Sequence, residues 1–179
     1  MAKPPHAPGH SQAAKPAPAP VETISDPSDD LAALPAGARA MRERMLAAVA
    51  TGDIDALRPV IEFNETPPLF ARGAKPVGFA AAVDFLKARS FDGKGHEILA
   101  MLGAILEQPY VRVTRGPVEM FVWPAFAARQ KPDPTAEERL AMYRCARFAN
   151  LLLTNDIGLP LIERVGIGAD GTWHYFWAG

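Results

Sequence analysis

Apolar side chains recur at helical spacing through the first half of the body and at every second position near the end of the chain. From Arg39 to Ala50, Met41, Met45, Leu46 and Val49 form one stripe, and Gly52 supplies a stop. Asp53 can cap a second helix whose inner face carries Ile54, Leu57, Val60 and Ile61, with a kink or early end expected at Pro59. The run Asn64 to Pro68 reads as a loop. Pro76 suits a first helical position ahead of Phe79, Ala82, Val83 and Leu86, and Asp92-Gly93 turns the chain. Ile98, Leu99, Leu102, Ile105 and Leu106 make the next helix almost wholly core-facing as far as Pro109.

Beyond Pro109 the period changes. Tyr110 to Val113 and Glu119 to Trp123 are β-rich runs around Arg115-Gly116-Pro117. Thr135 and Glu138 have capping-box spacing for a helix reaching about Leu153. Leu161 to Ile167 and Thr172 to Trp177 flank Gly168-Ala169-Asp170-Gly171 as a hairpin. Helices first and antiparallel strands afterwards predict an α+β domain over residues 36–179, its helical N-terminal half packed on a small antiparallel sheet that ends in a C-terminal hairpin.

The first 35 residues contrast with this body. They hold eight prolines and only four large aliphatics, Val21, Ile24, Leu31 and Leu34. Such a stretch buries too little apolar area to offset its ordering entropy, so residues 1–35 are expected to form an extended Pro/Ala-rich tether, with Leu31 and Leu34 as docking points. An export signal needs a basic start followed by an apolar run, and Met1 to Pro20 offers mainly Ala, Pro, Lys, His and Gly instead. The expected compartment is therefore the periplasm if a signal precedes this sequence, and the cytoplasm otherwise.

Charge and cysteine content remove several classes. Lys and Arg number 19 against 20 Asp and Glu, which lacks the basic surplus of a nucleic-acid partner. One Cys forms no internal disulfide and no Cys-rich zinc site, and no window is long and apolar enough for a transmembrane segment. His96-Glu97 opens like a zincin motif, but Ala100 stands where the second histidine is required. Gly93-Lys94-Gly95 lacks the Walker spacing, and neither Gly-x-Ser-x-Gly nor a dinucleotide fingerprint occurs. Cys145 lies among apolar neighbours and is expected to be buried and inert. Glu62 with Glu65 and Glu137 with Glu138 are helix-end carboxylates, so no catalytic residue, metal site or cofactor is assigned.

The remaining candidates lie on the final hairpin. Strict alternation puts Trp173, Tyr175 and Trp177 on one face and Thr172, His174 and Phe176 on the other. A two- or four-residue loop adds Gly166, Arg164 and Ile162 to the Trp173 face, whereas a three-residue bulged loop adds Glu163 and Val165, with Glu163 a possible neighbour of His174 in the former. Arg164, His174 and Tyr175 among Trp123, Trp173 and Trp177 would line an aromatic pocket between sheet and helices, fit for a small flat or apolar ligand. The competing expectation is that the rings are core and that the chain is a non-enzymatic exported accessory or binding domain with a protein partner.

Two resemblances accompany these residues. Met45 to Ile61 and Arg164 to Phe176 (RVGIGADGTWHYF) resemble the opening helices and closing hairpin of the cone-shaped nuclear-transport-factor-like or polyketide-cyclase-like superfamily, from which no residue role carries over. Asp92-Gly93-Lys94-Gly95, Val122-Trp123-Pro124 and Gly168 to His174 are similar to an uncharacterised bacterial family with a Pro/Ala-rich leader. Many of its members are exported, so this likeness implies the periplasm and brings no activity.

Overall fold

The computed structural model describes residues 21–129, 131–150 and 158–178. Residues 1–20, including His6 and His10, lie outside the described residues. The helices are α1 (Ala36–Ala50), α2 (Arg58–Glu62), α3 (Phe79–Arg89), α4 (His96–Leu106), α5 (Ala125–Arg129) and α6 (Ala136–Arg144). The strands β1 (Glu22–Ile24), β2 (Val111–Arg115), β3 (Val118–Trp123), β4 (Glu163–Gly168) and β5 (Trp173–Ala178) form one antiparallel sheet in chain order. The expected α+β architecture with its C-terminal hairpin is what the chain adopts.

The apolar stripes become the core. Ala38, Met41 and Met45 of α1, Ala82, Val83 and Leu86 of α3, and Ile98, Leu99, Met101, Leu102, Ile105 and Leu106 of α4 are buried together. They cover the inner face of the sheet, where Phe121, Trp123, Val165, Ile167, Trp173 and Phe176 lie. At the hairpin end, α1 meets the turn backbone to backbone. A Cβ on Gly37 would stand 2.6 Å from the Asp170 carbonyl, and one on Gly171, at φ +91°, would stand 2.8 Å from the Gly37 oxygen. Only glycines permit that approach.

Several boundaries differ from expectation. Residues 21–35, read as the end of a tether, belong to the folded body. Glu22 to Ile24 pair with Val113 to Arg115, Tyr110 Oη donates to the Asp30 carbonyl at 2.9 Å, and Leu34 is buried. Backbone pairing and one leucine anchor a segment whose composition alone suggested extended chain. Pro59 falls in the first turn of α2, after a 3-10 turn over Ile54–Leu57, where its missing N–H costs nothing. α3 starts at Phe79 rather than Pro76, since Gly78 at its N-cap is still extended. The Thr135–Glu138 capping box forms, but α6 stops at Arg144 because Arg147 and Asn150 turn inward toward Glu163. Residues 151–153 of that expected helix lie outside the described residues.

The hairpin carries the largest correction. Arg164 faces Trp177 and Gly166 faces Tyr175, but Ile167 faces Trp173, so His174 is an extra residue and the ribbon bulges there. Trp173 therefore points inward with Phe176, while Tyr175 and Trp177 point outward. Both candidate registers thus occur, one on either side of the bulge. Its far edge is held by the loop after α2. The Asn64 side chain accepts from the Trp173 N–H at 3.0 Å and donates to the Trp173 carbonyl at 3.3 Å. Leu69 pairs with the His174 carbonyl and the Phe176 N–H.

Replacing Asn64 with Ala strands two buried backbone groups, each costing about 1–3 kcal/mol. Urea unfolding should show a loss of that size, and the Trp173 near-ultraviolet circular dichroism should weaken. A loss under about 0.5 kcal/mol, the level of an ordinary surface change, would mean that Asn64 does not hold the bulge.

Candidate functional site

The six side chains singled out on the sequence fall into three places. Trp123 and Trp173 are fully buried on the inner face. Trp173 packs edge-on against Phe70 with ring centroids 5.7 Å apart and donates Nε1–H to the Tyr175 carbonyl at 3.0 Å. Tyr110 leans on Trp123 at 5.3 Å. Solvent reaches neither indole, so the pair seals the space between sheet and helices.

His174 is exposed at the bulge. Its Nε2 lies over Gly168, where an added Cβ would come within 2.9 Å. Glu163 is not its neighbour, because Glu163 stands opposite Ala178 on the inner face.

Arg164, Tyr175 and Trp177 do meet, on the outer face. The Arg164 guanidinium lies 4.9 Å from the Trp177 ring centroid, and Arg72, from the loop after α2, approaches the same ring at 5.6 Å. Tyr175 and Trp177 are 5.0 Å apart. Tyr175 lies across Gly166, where a Cβ would collide with the ring at 2.4 Å and with Met120 Sδ at 2.7 Å. Glycine at that point lowers the phenol onto the sheet. Burial, followed by the neighbouring Arg72, pulls the Arg164 pKa down, with Tyr175 and Glu22 opposing; burial likewise raises that of Tyr175. At one end α5 covers this face through Ala125, over Val111 and Val122. At the other, Ile24 and Val118 are exposed.

Two polar clusters were not foreseen. Glu163 is 1% exposed and is met by Arg89 Nη2 at 2.9 Å, Arg147 Nε at 3.5 Å and Asn150 Nδ2 at 3.5 Å, all on Oε1. Its Oε2 has no hydrogen-bond partner. Arg89 also donates to the Phe70 carbonyl, and Arg147 to the Arg89 carbonyl at 2.7 Å, so the cluster ties α3, the turn after α6 and β4 together. Burial raises the Glu163 pKa against the pull of both guanidinium groups, and burial lowers that of Arg89. A charged residue inside the apolar run Leu161 to Ile167 was its only sequence signal.

The second cluster surrounds Asp92. Ser90 Oγ donates to Oδ1 at 2.5 Å, the Lys94 and Gly95 N–H groups reach it at 3.1 Å, and His96 Nδ1 meets Oδ2 at 2.6 Å. Those bonds, that from Ser90 foremost, hold the carboxyl well below its usual range. The hydroxyl faces the carboxylate and the imidazole bonds the other carboxylate oxygen, so His96 does not contact Ser90 Oγ. The arrangement shapes the entry into α4, and the i, i+4 spacing of Asp92 and His96 was its sequence signal.

A concavity of about 330 Å³ opens between the segment after β1, α5 and α6, lined by Pro27, Gln108, Phe126, Arg129 and Met142. Arg129 is paired with Asp26 at 2.7 Å, and Lys131 lies 3.7 Å from Glu138. Among the described residues no three His, Cys, Asp or Glu side chains come together to hold a metal ion, and no helix is long and apolar enough to cross a membrane. Compared with protein-family models, curated proteins and solved structures, the chain matches none of them.

Two outcomes follow from the buried groups. Desolvation pushes the Cys145 thiol up to about 12, so a water-soluble thiol reagent should label the folded chain only at the rate of unfolding, and the urea-unfolded chain at once. Fast labelling of the native protein would contradict its burial. Glu163 binds its proton more tightly in the folded chain than at the unfolded reference of 4.5. Its contribution to stability is therefore full below that reference and is lost as pH rises through the raised folded value. The urea midpoint of the native sequence, measured relative to Glu163→Gln, should fall from acidic to neutral pH. A rise would show that the arginines outweigh burial.

Proposed function

We propose that this chain is a non-enzymatic binding domain that receives a flat or apolar ligand on the outer face of its sheet, at Arg164, Tyr175 and Trp177. One observation carries the reading. The bulge at His174 divides the aromatic side chains, so that Trp173 completes the core while Tyr175 and Trp177 stay outside under two guanidinium groups. A cation over an aromatic ring contributes about 0.5–2 kcal/mol and holds the rings in place, which lowers the ordering cost of a ligand stacking beside them. The alternative pocket between sheet and helices would need Trp123 and Trp173 at a surface, and both are buried.

An accessory role outside the cytoplasm belongs to the same reading and rests on the likeness to exported bacterial proteins. Fractionation of cells expressing the native gene tests it, and recovery in the cytosol alone would remove it.

The face itself is tested with anilinonaphthalene sulfonate, a flat apolar anion. The folded chain should bind the dye saturably, and Trp177→Ala should abolish the binding while leaving stability within about 0.5 kcal/mol, as for a surface change. Trp173→Ala should instead cost about 3–5 kcal/mol. Equal dye binding by the native chain and Trp177→Ala would refute the assignment.

A further inference from the structure

The concavity beside α5 and α6 is framed by three fixed contacts. The Ala125 N–H donates to the Pro109 carbonyl at 2.8 Å, which sets α5 against the chain leaving α4. Arg129, at the far end of α5, holds Asp26 at 2.7 Å and so draws in the segment after β1. The Thr135–Glu138 capping box fixes the first turn of α6. Between these elements Ala125, Pro134 and Met142 form a buried floor, with the half-buried Phe126 beside them. At about 330 Å³ the concavity stands near the lower end of the volumes of small-molecule pockets, about 300–1,000 Å³, and shares their make-up of an apolar floor with a few polar groups.

Four charged residues line it, namely Arg129, Lys131, Glu137 and Glu138. Three of them are engaged. Arg129 is met by Asp26, and Lys131 lies 3.7 Å from Glu138 Oε1, whose other oxygen accepts from the Thr135 N–H at 2.8 Å. Nothing among the described residues pairs with Glu137. With Asp26 included, two cations face three carboxylates, so one negative charge is left over and Glu137 carries it. An acid in a first helical turn usually serves the free N–H groups there, but Thr135 and Glu138 already do so through the capping box.

We infer that this concavity binds a small amine, its apolar body resting on Ala125, Phe126 and Met142 and its single ammonium group meeting Glu137. A ligand of that charge cancels the excess, whereas a carboxylate would add to it. The Phe126 ring offers the same cation a second attraction. The site is separate from the outer face at Arg164, Tyr175 and Trp177 and does not depend on it.

The full-length protein is titrated calorimetrically with 2-phenylethylammonium and, separately, with 3-phenylpropanoate, which carries the same ring and the opposite charge. The amine should bind saturably and severalfold more tightly than the acid, the scale of an exposed ion pair. Glu137→Gln should remove that preference, weakening the amine and leaving the acid no weaker, with an unchanged melting temperature. Ala141→Trp, which fills the concavity, should abolish binding of the amine, and Trp177→Ala should leave it as in the native chain. Equal binding of amine and acid by the native chain, or an amine affinity unchanged in Glu137→Gln, would overturn the inference. Loss of amine binding in Trp177→Ala would place the ligand on the outer face and overturn it too. No binding of the amine by the native chain would do the same while leaving the outer face untouched.

Discussion

The side-chain amide of Asn64 clasps both backbone groups of Trp173, and the residue that follows, His174, is the one the ladder leaves over. A strand of strict alternation would put Trp173, Tyr175 and Trp177 on one side, with His174 and Phe176 on the other. The domain would then have to bury all three rings or expose all three. One inserted residue removes the conflict. Trp173 joins Phe70, Phe176 and the helices, and the last two rings are released to the outer surface. The Asn64–Leu69 loop also occupies the outer edge of β5, leaving fewer free backbone groups for a foreign strand.

What could be read from the sequence is what local chemistry decides. Helical periodicity located the α1, α3 and α4 stripes, and Thr135 with Glu138 formed the capping box their spacing implies. The terminal hairpin lies where its glycine turn put it. The bulge could not be read, because Asn64 and Trp173 are 109 positions apart and no local pattern joins them. The docking of residues 21–35 was hidden likewise. A three-residue strand has too little length for a period, and it exists only because the edge of β2 was open.

The candidate site divides along the same line. Arg164, Tyr175 and Trp177 share strand parity, so their meeting was legible in one of the two registers considered. Trp173 was grouped with them by strict alternation, which the bulge at His174 breaks, and Trp123 on residue type, which does not tell the two faces of a sheet apart. Arg72 was not foreseen, since it reaches Trp177 from a loop about a hundred positions away in the chain.

Glu163 and Arg164 explain how the two faces are kept apart. Burial works against the charged forms of both Glu163 and Arg89, so their pairing stabilises the fold weakly at best. Its value lies in what it forbids. A slip of β4 by one residue would drive Arg164 into the core beside Arg89 and Arg147 and carry Glu163 out to Trp177. Like charges would be buried together, and the indole would lose its cation for an anion. Adjacent residues of opposite sign, each matched only on its own side, therefore penalise every odd register of β4. Because β4 pairs with both β3 and β5, the same penalty fixes which face the last two aromatic rings present.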